Sequence, residues 1–314
     1  MNPARTAVVV GGSGFIGRHI CQALRGSGWN VVVGGRRGGS VRGCRTFAVR
    51  PGPSRTDELA ELVTRSGASV VVNSAGAVWD PTRAAFDDSN VRCAEDLALA
   101  VARVQPRPWL VHLGSSFEYA PVPRGTALDE HAPTGPCTDY GKSKLAGTDR
   151  VLTLAREHNL PAVVLRVFNA IGPDVPPRSL LGRVVSTLRQ AQEANQRAEV
   201  SLPTRIQWRD WVDVRDVADA VARAAGDPFE REPEVVNIGG GVATDTGTLV
   251  RELVQISGVA ANLRSPGVVD PGVDDGLDWQ CADIAHAHRR WGWRPARSLH
   301  RTLHDLWDTA ERRT

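Results

Sequence analysis

The chain has 314 residues, 41% hydrophobic and 23% charged, with a formal net charge of +3. These are ordinary globular values and exclude disordered, collagen-like and coiled-coil classes. Basic and acidic residues are interspersed, so no nucleic-acid partner is expected. No apolar run approaches the ~18 residues that span a bilayer. The opening Met1-Asn2-Pro3-Ala4-Arg5-Thr6 leads into valines and glycines rather than a secretory leader, so a cytoplasmic protein without a membrane partner is expected. The five cysteines (Cys21, Cys44, Cys93, Cys137, Cys281) form no CxxC pair, and the eight histidines no HExxH spacing. Reduced thiols and no metal site are expected.

Short apolar runs at 7–10, 31–33, 70–72, 110–113 and 163–167 read as buried strands. Helical patterns at 17–26, 57–66, 90–104 and 140–157 separate them. Such alternation predicts an α/β fold, a doubly wound parallel (Rossmann) sheet with helices on both faces. At Gly172-Pro173-Asp174-Val175-Pro176-Pro177 the rhythm breaks in a turn-rich segment. A helix at 180–195, a strand at 235–238 and helices at 248–257 and 298–312 follow. Residues 1–172 are thus expected to form the dinucleotide-binding domain. Residues 173–314 mainly form a smaller C-terminal substrate-binding lobe, with 209–240 returning to the large sheet.

Between the first strand and first helix lies Gly11-Gly12-Ser13-Gly14-Phe15-Ile16-Gly17. Gly11 permits a tight turn, Gly14 lets backbone approach a pyrophosphate, and Gly17 lets helix pack on strand. The amides of Phe15, Ile16 and Gly17 open the helix, where positive potential favours phosphate. The second strand, Val31-Val32-Val33-Gly34-Gly35-Arg36-Arg37, lacks the carboxylate that would hydrogen-bond a ribose 2′-hydroxyl. Arg36 and Arg37 instead suit a 2′-phosphate, so NADP(H) is expected over NAD(H).

Tyr140-Gly141-Lys142-Ser143-Lys144 places Tyr140 and Lys144 one helical turn apart on one face. A phenol titrating near 10 needs about 4 kcal/mol of help to act as a base at neutral pH, and a nearby ammonium supplies part of it. Upstream, Leu113-Gly114-Ser115-Ser116-Phe117-Glu118-Tyr119 ends a strand with two hydroxyls that can hydrogen-bond a substrate oxygen.

Together the glycine loop, serine pair and YxxxK resemble the extended short-chain dehydrogenases/reductases, the NAD(P)-dependent epimerase/dehydratase family. Asn73-Ser74-Ala75-Gly76 is similar to the family's fourth-strand motif beside the cofactor, and Asn90 to an asparagine opening the next helix. Leu165-Arg166-Val167-Phe168-Asn169-Ala170-Ile171-Gly172-Pro173 resembles its RxFNxxGP segment. Arg209-Asp210-Trp211-Val212-Asp213-Val214-Arg215-Asp216-Val217 resembles RDxxxVxDV. Val236-Asn237-Ile238-Gly239 is similar to its late strand, and Asp283 with Trp291-Gly292-Trp293-Arg294-Pro295 to its C-terminal ending.

The resemblance implies that Ser115, with Ser116 second, is the catalytic hydroxyl, that Tyr140 is the acid/base, and that Lys144 is its electrostatic partner and ribose anchor. It implies cofactor contacts at Ser74, Ala75, Gly76 and Phe168, and substrate contacts at Ser115, Ser116, Asn169 and Arg209. It implies a nucleotide-sugar substrate and a homodimer through the helices at 90–104 and 140–157. Three places depart from the pattern. Val49-Arg50-Pro51-Gly52 replaces an adenine-contacting Asp. Leu202-Pro203-Thr204-Arg205-Ile206-Gln207-Trp208 replaces a GDG-like turn, where Arg205 and Trp208 either hold a phosphate and base or pack. The 172–181 connection is short.

Glu118 is near enough to the serines for a second acid/base. Family dehydratases instead place an Asp-Glu pair directly after the catalytic hydroxyl, where this chain has Ser116 and Phe117. Dehydration is therefore not expected. Cys137 reads as a loop thiol, Trp291 and Trp293 as packing, and His112 as a structural histidine. The leading expectation is an NADPH-dependent reductase of a keto group, the 4-keto group of a nucleotide-linked 6-deoxysugar. An NAD(P)-dependent epimerase, a reductase of a non-sugar ketone and a non-catalytic NADP-binding protein are the alternatives.

Overall fold

A computed structural model of the chain describes residues 5–36, 40–78, 82–202, 207–227, 232–264 and 278–310. The first strands follow the apolar runs: β1 (Thr6–Val10), β2 (Asn30–Gly35), β3 (Arg45–Ala48), β4 (Val70–Asn73), β5 (Trp109–Ser115) and β6 (Ala162–Val167). The helices among them are α1 (Phe15–Gly26), α2 (Arg55–Ser66), α3 (Arg83–Phe86), α4 (Cys93–Arg103) and α5 (Asp139–Glu157). After β6 come β7 (Asn169–Ile171), α6 (Leu180–Glu193), β8 (Ala198–Ser201), β9 (Trp208–Asp213) and α7 (Val214–Gly226). The remainder is β10 (Glu234–Ile238), β11 (Ala243–Asp245), α8 (Thr246–Ser257), β12 (Ala261–Arg264), α9 (Ala285–Trp291) and α10 (Leu299–Ala310).

Seven strands form one sheet in the order β3–β2–β1–β4–β5–β6–β10, and every pair within it is parallel. The chain therefore reverses direction of travel between β1 and β4, and crevices for ligands open at such a reversal, beyond the carboxyl ends of the strands. Alternate residues of each central strand enter two apolar layers. Val9, Val33, Val72 and Val111 pack with α1 and α7, while Val8, Val32, Val71 and Leu110 pack with α2, α4 and α5. Both faces are covered, which is why these strands read as unbroken apolar runs.

Of the stretch 209–240, α7 and β10 lie with the large sheet, whereas β9 pairs with β7 and β11 in a three-stranded sheet. A third core, with Leu188, Leu253, Leu303 and Trp307, gathers α6, α8 and α10 over the β8–β12 pair. The helix expected to open at Asn90 begins earlier. After α3, residues Asp87–Arg92 are wound as a π-helix that runs into α4, with Asn90 buried in its middle. The acids Asp87 and Asp88 at its start interrupt its apolar period. Among the described residues, no helix is long and apolar enough to cross a membrane.

Candidate active site

The glycine loop turns because Gly11 adopts φ +82°, and its amide donates to the Gly34 carbonyl at 2.9 Å. A Cβ on Gly11 would lie 2.5 Å from the Ala75 nitrogen, and one on Gly17 would lie 2.2 Å from the Gly11 carbonyl oxygen. β1, β4 and α1 therefore meet backbone to backbone. Gly14 is extended and gives α1 no side-chain cap, so the leading amides of Phe15, Ile16 and Gly17 are free of a protein cap there. This uncapped, side-chain-free cradle fits a dinucleotide pyrophosphate.

Ser74 Oγ donates to the Val10 carbonyl at 2.9 Å, and Ala75 N donates to Asn73 Oδ1 at 3.2 Å. These bonds hold the Ser74-Ala75-Gly76 segment beside the loop. Arg36 stands exposed just after β2, and a Cβ on Gly35 would have only Ser13 Oγ near it, at 3.8 Å. The described residues at the end of this strand, Val33-Gly34-Gly35-Arg36, include no carboxylate. Arg37 and Arg205 lie outside the described residues.

The end of β5 and the start of α5 face each other. Tyr140 hydrogen-bonds the Ser115 side chain. Its ring packs edge-on to Phe117 at 5.6 Å and against Phe86 at 6.2 Å. Burial pushes the Tyr140 phenol up to about 12, the Ser115 hydrogen bond opposing this and the Glu118 charge adding to it. One turn on, Lys144 is buried and its Nζ donates to the Leu113 carbonyl at 2.6 Å. Burial lowers the lysine, against the attraction of Glu118. An ammonium, a phenol and a hydroxyl are thus gathered around one end of the sheet, a set able to move a proton to or from a ligand oxygen.

Ser116, by contrast, is fully enclosed, and its hydroxyl finds no hydrogen-bond partner among the described residues. Only Ser115 of the pair meets the tyrosine. Asn169 donates to the Asp210 carbonyl at 3.0 Å and to Gln280 Oε1 at 3.3 Å, and Gln280 Nε2 reaches the Ser116 carbonyl at 3.3 Å. Arg209 is buried on β9, and Phe168 packs against Tyr119 with ring centroids 6.4 Å apart. Trp208 carries the Arg124 guanidinium 4.1 Å above its ring and stands 6.1 Å from Trp279.

Asn90 was expected at a helix start, yet its side chain acts as a bracket. Its Oδ1 accepts from Ala77 N at 2.9 Å, and its Nδ2 donates to Ser143 Oγ at 2.8 Å. Ser143 in turn donates to the Tyr140 carbonyl at 2.8 Å. Gln280, Ser143 and Thr148 were not singled out from sequence. For Ser143 and Thr148 a signal existed, since they flank Lys144 on α5; for Gln280, far along the chain, there was none. Cys137 is an exposed loop thiol. Trp293 is buried and donates to the Asp216 carbonyl at 3.1 Å, as packing requires. Asn73 donates to His112 Nδ1 at 3.0 Å, while His112 Nε2 finds no partner among the described residues. His112 is thus only half satisfied.

Glycine cradle, parallel sheet and the Ser–Tyr–Lys cluster define a dinucleotide-dependent enzyme of the short-chain dehydrogenase/reductase type. Residues 7–239 match the NAD dependent epimerase/dehydratase family, and the chain belongs to it as an NAD(P)-dependent enzyme of the extended kind. It is 35% identical to a dTDP-6-deoxy-L-talose 4-dehydrogenase (NAD(P)(+)) of Kitasatospora kifunensis, over 97% of this chain and 95% of the relative. It is 27% identical to a UDP-glucose 4-epimerase of Rhizobium meliloti (strain 1021), over 98% and 97%. The solved structure of MoeE5 in complex with UDP-glucose and NAD superposes with a TM-score of 0.81 at 26% identity, covering 98% of this chain and 99% of that one.

Proposed function

We propose that the protein is an NADP(H)-dependent 4-ketoreductase acting on a nucleotide-linked 6-deoxysugar. The observation that carries this reading is the end of β2. There Gly35 and Arg36 follow the last valines without a carboxylate among them, and Ser13 of the glycine loop is the near neighbour of Gly35. The full-length relative named for 4-oxidation of a dTDP-6-deoxysugar with NAD(P)+ supports the same carbon and the same pair of redox states. A dehydrogenase and a reductase differ only in direction, and a pool held as NADPH favours reduction.

In this reading the amides of Phe15, Ile16 and Gly17, opened by Gly11 and Gly14, hold the pyrophosphate. Arg36 and Arg37 hold the 2′-phosphate, Ser74, Ala75 and Gly76 line the flank, and Tyr140 and Lys144 hold the adjacent ribose. Phe168 borders the ring that reacts. Bound NADPH supplies a hydride. Ser115 hydrogen-bonds the substrate keto oxygen, and Tyr140 passes its proton to that oxygen as negative charge develops there. Lys144 stabilises the phenolate left behind. Asn169 and Arg209 line the substrate side, where Arg209 suits a diphosphate.

Relatives that are UDP-glucose 4-epimerases favour a second reading, in which the hydride returns to the opposite face of the same carbon. NADPH oxidation against a panel of nucleotide-linked 4-keto-6-deoxysugars tests the choice. Stoichiometric NADPH consumption supports the reductase. Turnover of nucleotide sugars without net cofactor consumption supports the epimerase and overturns the reductase reading.

A further inference from the structure

Glu118 is enclosed behind the Ser115–Tyr140 pair, and it has no exposed surface at all. Its Oε1 accepts from the backbone amide of Ser115 at 2.7 Å and from Thr148 Oγ1 at 3.0 Å. Its Oε2 accepts from Arg166 Nε at 2.8 Å. The three donors sit on three elements: β5, α5 and β6. Thr148 lies one turn beyond Lys144 on the same helix, so a single carboxylate ties the strand carrying Ser115 to the helix carrying Tyr140 and Lys144.

The neighbourhood is built for this contact. A Cβ on Gly114 would stand 2.8 Å from Glu118 Oε1, so only glycine lets the carboxylate reach the next amide. A Cβ on Gly141 would stand 2.3 Å from the Phe117 carbonyl, so glycine again lets the start of α5 close on the same turn. The Arg166 guanidinium lies 4.6 Å above the Tyr119 ring, whose hydroxyl donates to Asn237 Oδ1 at 2.7 Å. The ion pair is held from behind as well as in front. Ser115 itself is extended, with φ −147° and ψ 144°, and caps the short turn that Glu118 closes.

We propose that Glu118 is a positioning residue for the Ser115–Tyr140–Lys144 cluster, fixing its spacing and setting its charge, and is not a proton-transfer group. With no exposed surface and both oxygens engaged, it offers a ligand no path to its carboxylate. Its charge acts on the cluster from the sheet side. Facing it are Arg166 from β6 and Tyr140 and Lys144 from α5; Lys144 is faced in turn by His112 of β5 and Cys93 of α4. A negative charge behind a phenol disfavours its ionisation, and the same charge favours the ammonium. Glu118 thereby adds to the burial that keeps Tyr140 protonated, the state of the donor that reduction requires. The proposal rests on the relay reading for Tyr140, so its test includes a measurement without substrate.

The chain has two tyrosines, so in a Tyr119→Phe background only Tyr140 ionises as a phenol. Near-ultraviolet difference titration of that protein, with and without NADP+, gives the Tyr140 midpoint directly. Glu118→Gln is expected to move the midpoint to lower pH and to cut kcat about ten- to a hundredfold, with cofactor Kd changed less than about threefold. Glu118→Asp keeps the charge but shortens the reach. It is expected to cut kcat by about tenfold or more while leaving the midpoint in place. The two variants are read separately, so misfolding of one leaves the other decisive. An unmoved midpoint in Glu118→Gln, or full kcat in Glu118→Asp, overturns the proposal. A shifted midpoint in a protein that turns over no keto sugar keeps the proposal and rejects only the substrate reading.

Discussion

Lys144 donates its ammonium to the Leu113 carbonyl at 2.6 Å, two residues ahead of the serine that hydrogen-bonds Tyr140. Lys144 and Tyr140 share one face of α5, and the end of β5 faces both. The bond keeps a buried cation satisfied. Tyr140→Phe removes the proton but not the ring that packs on Phe117 and Phe86. Turnover is expected to fall by about 10²- to 10⁴-fold, with NADP(H) Kd within about threefold, as steady-state kinetics and cofactor fluorescence titration would measure. Near-complete activity in this variant would reject the proposed relay.

The same phenol predicts a pH dependence. Burial raises Tyr140 to about 12, so it carries its proton across the neutral range. In the oxidative direction, where the phenolate is needed, kcat is expected to rise with pH throughout the accessible alkaline range. Lys144→Met removes the cation that favours the phenolate, so this rise moves to still higher pH. A pH profile that is flat in the parent, or unmoved in Lys144→Met, contradicts the assignment.

Gly11 offers a test of the cradle. It combines φ +82° with a Cβ position 2.5 Å from Ala75 N and 2.7 Å from the Ser74 carbonyl carbon, all backbone atoms that cannot swing aside. Gly11→Ala is expected to cost about 3 kcal/mol, the sum of left-handed strain and overpacking. It should also weaken NADP(H) binding by more than tenfold. Gly28 is the control, because it has φ +82° too but nothing within 4 Å of its Cβ. Gly28→Ala should cost about 1 kcal/mol and leave cofactor affinity alone. Urea denaturation and cofactor titration of both variants separate strain from crowding.

How legible these features were in sequence follows from where their causes lie. The strands β1, β2, β4, β5 and β6 were readable because both of their faces are buried, which leaves a run of valines and leucines. β3 was not, since Arg45–Ala48 is an edge strand with exposed residues and no apolar run. β7, β9 and β11 are short and partly polar, and they exist because they pair with one another across the chain. The acids of the π-wound segment concealed the start of the helix that carries Asn90. Tyr140 and Lys144 could be paired from local spacing and Ser115 named from the family resemblance, and the fold sets the end of β5 against the start of α5. Glu118 could not be assigned that way: its neighbours in sequence suggested a proton donor, while Thr148 and Arg166, remote in sequence, converge to enclose it.

The end of β2 predicts cofactor choice. Arg36 is exposed beside Gly35, and the described residues that end β2 include no carboxylate to meet a ribose hydroxyl or repel a phosphate. Arg36→Ala combined with Arg37→Ala should weaken NADPH by about a hundredfold, from loss of two charge-assisted contacts. NADH should change by less than about threefold. Gly35→Asp should act in the same direction by placing a negative charge at the site of the 2′-phosphate. Equal losses for both cofactors in the double variant would reject the 2′-phosphate assignment.

The last prediction concerns the clamp that seats the C-terminal helix. The Asp213 side chain is enclosed at the junction of β9 and α7. It accepts from Arg215 N at 2.8 Å, Arg215 Nη2 at 2.6 Å and, across on α10, Thr302 Oγ1 at 2.8 Å. Arg215 completes the clamp by pairing with Asp305 of α10 at 2.7 Å. Burial works to raise the Asp213 carboxyl, but the hydrogen bonds from Arg215 and Thr302 prevail and hold it below the usual value. A depressed carboxyl stabilises the fold above its unfolded pKa near 3.9, and that contribution disappears as pH falls through the lower folded value. Asp213→Asn is therefore expected to cost about 2 kcal/mol at pH 7, from the loss of charged hydrogen bonds to the half-buried Arg215. The gap between parent and variant should narrow as pH drops below about 4, because the parent then loses the charge that the variant already lacks. Urea unfolding of both proteins at neutral and acidic pH measures it, and a gap that stays constant with pH would show that the Asp213 charge contributes nothing to holding α10.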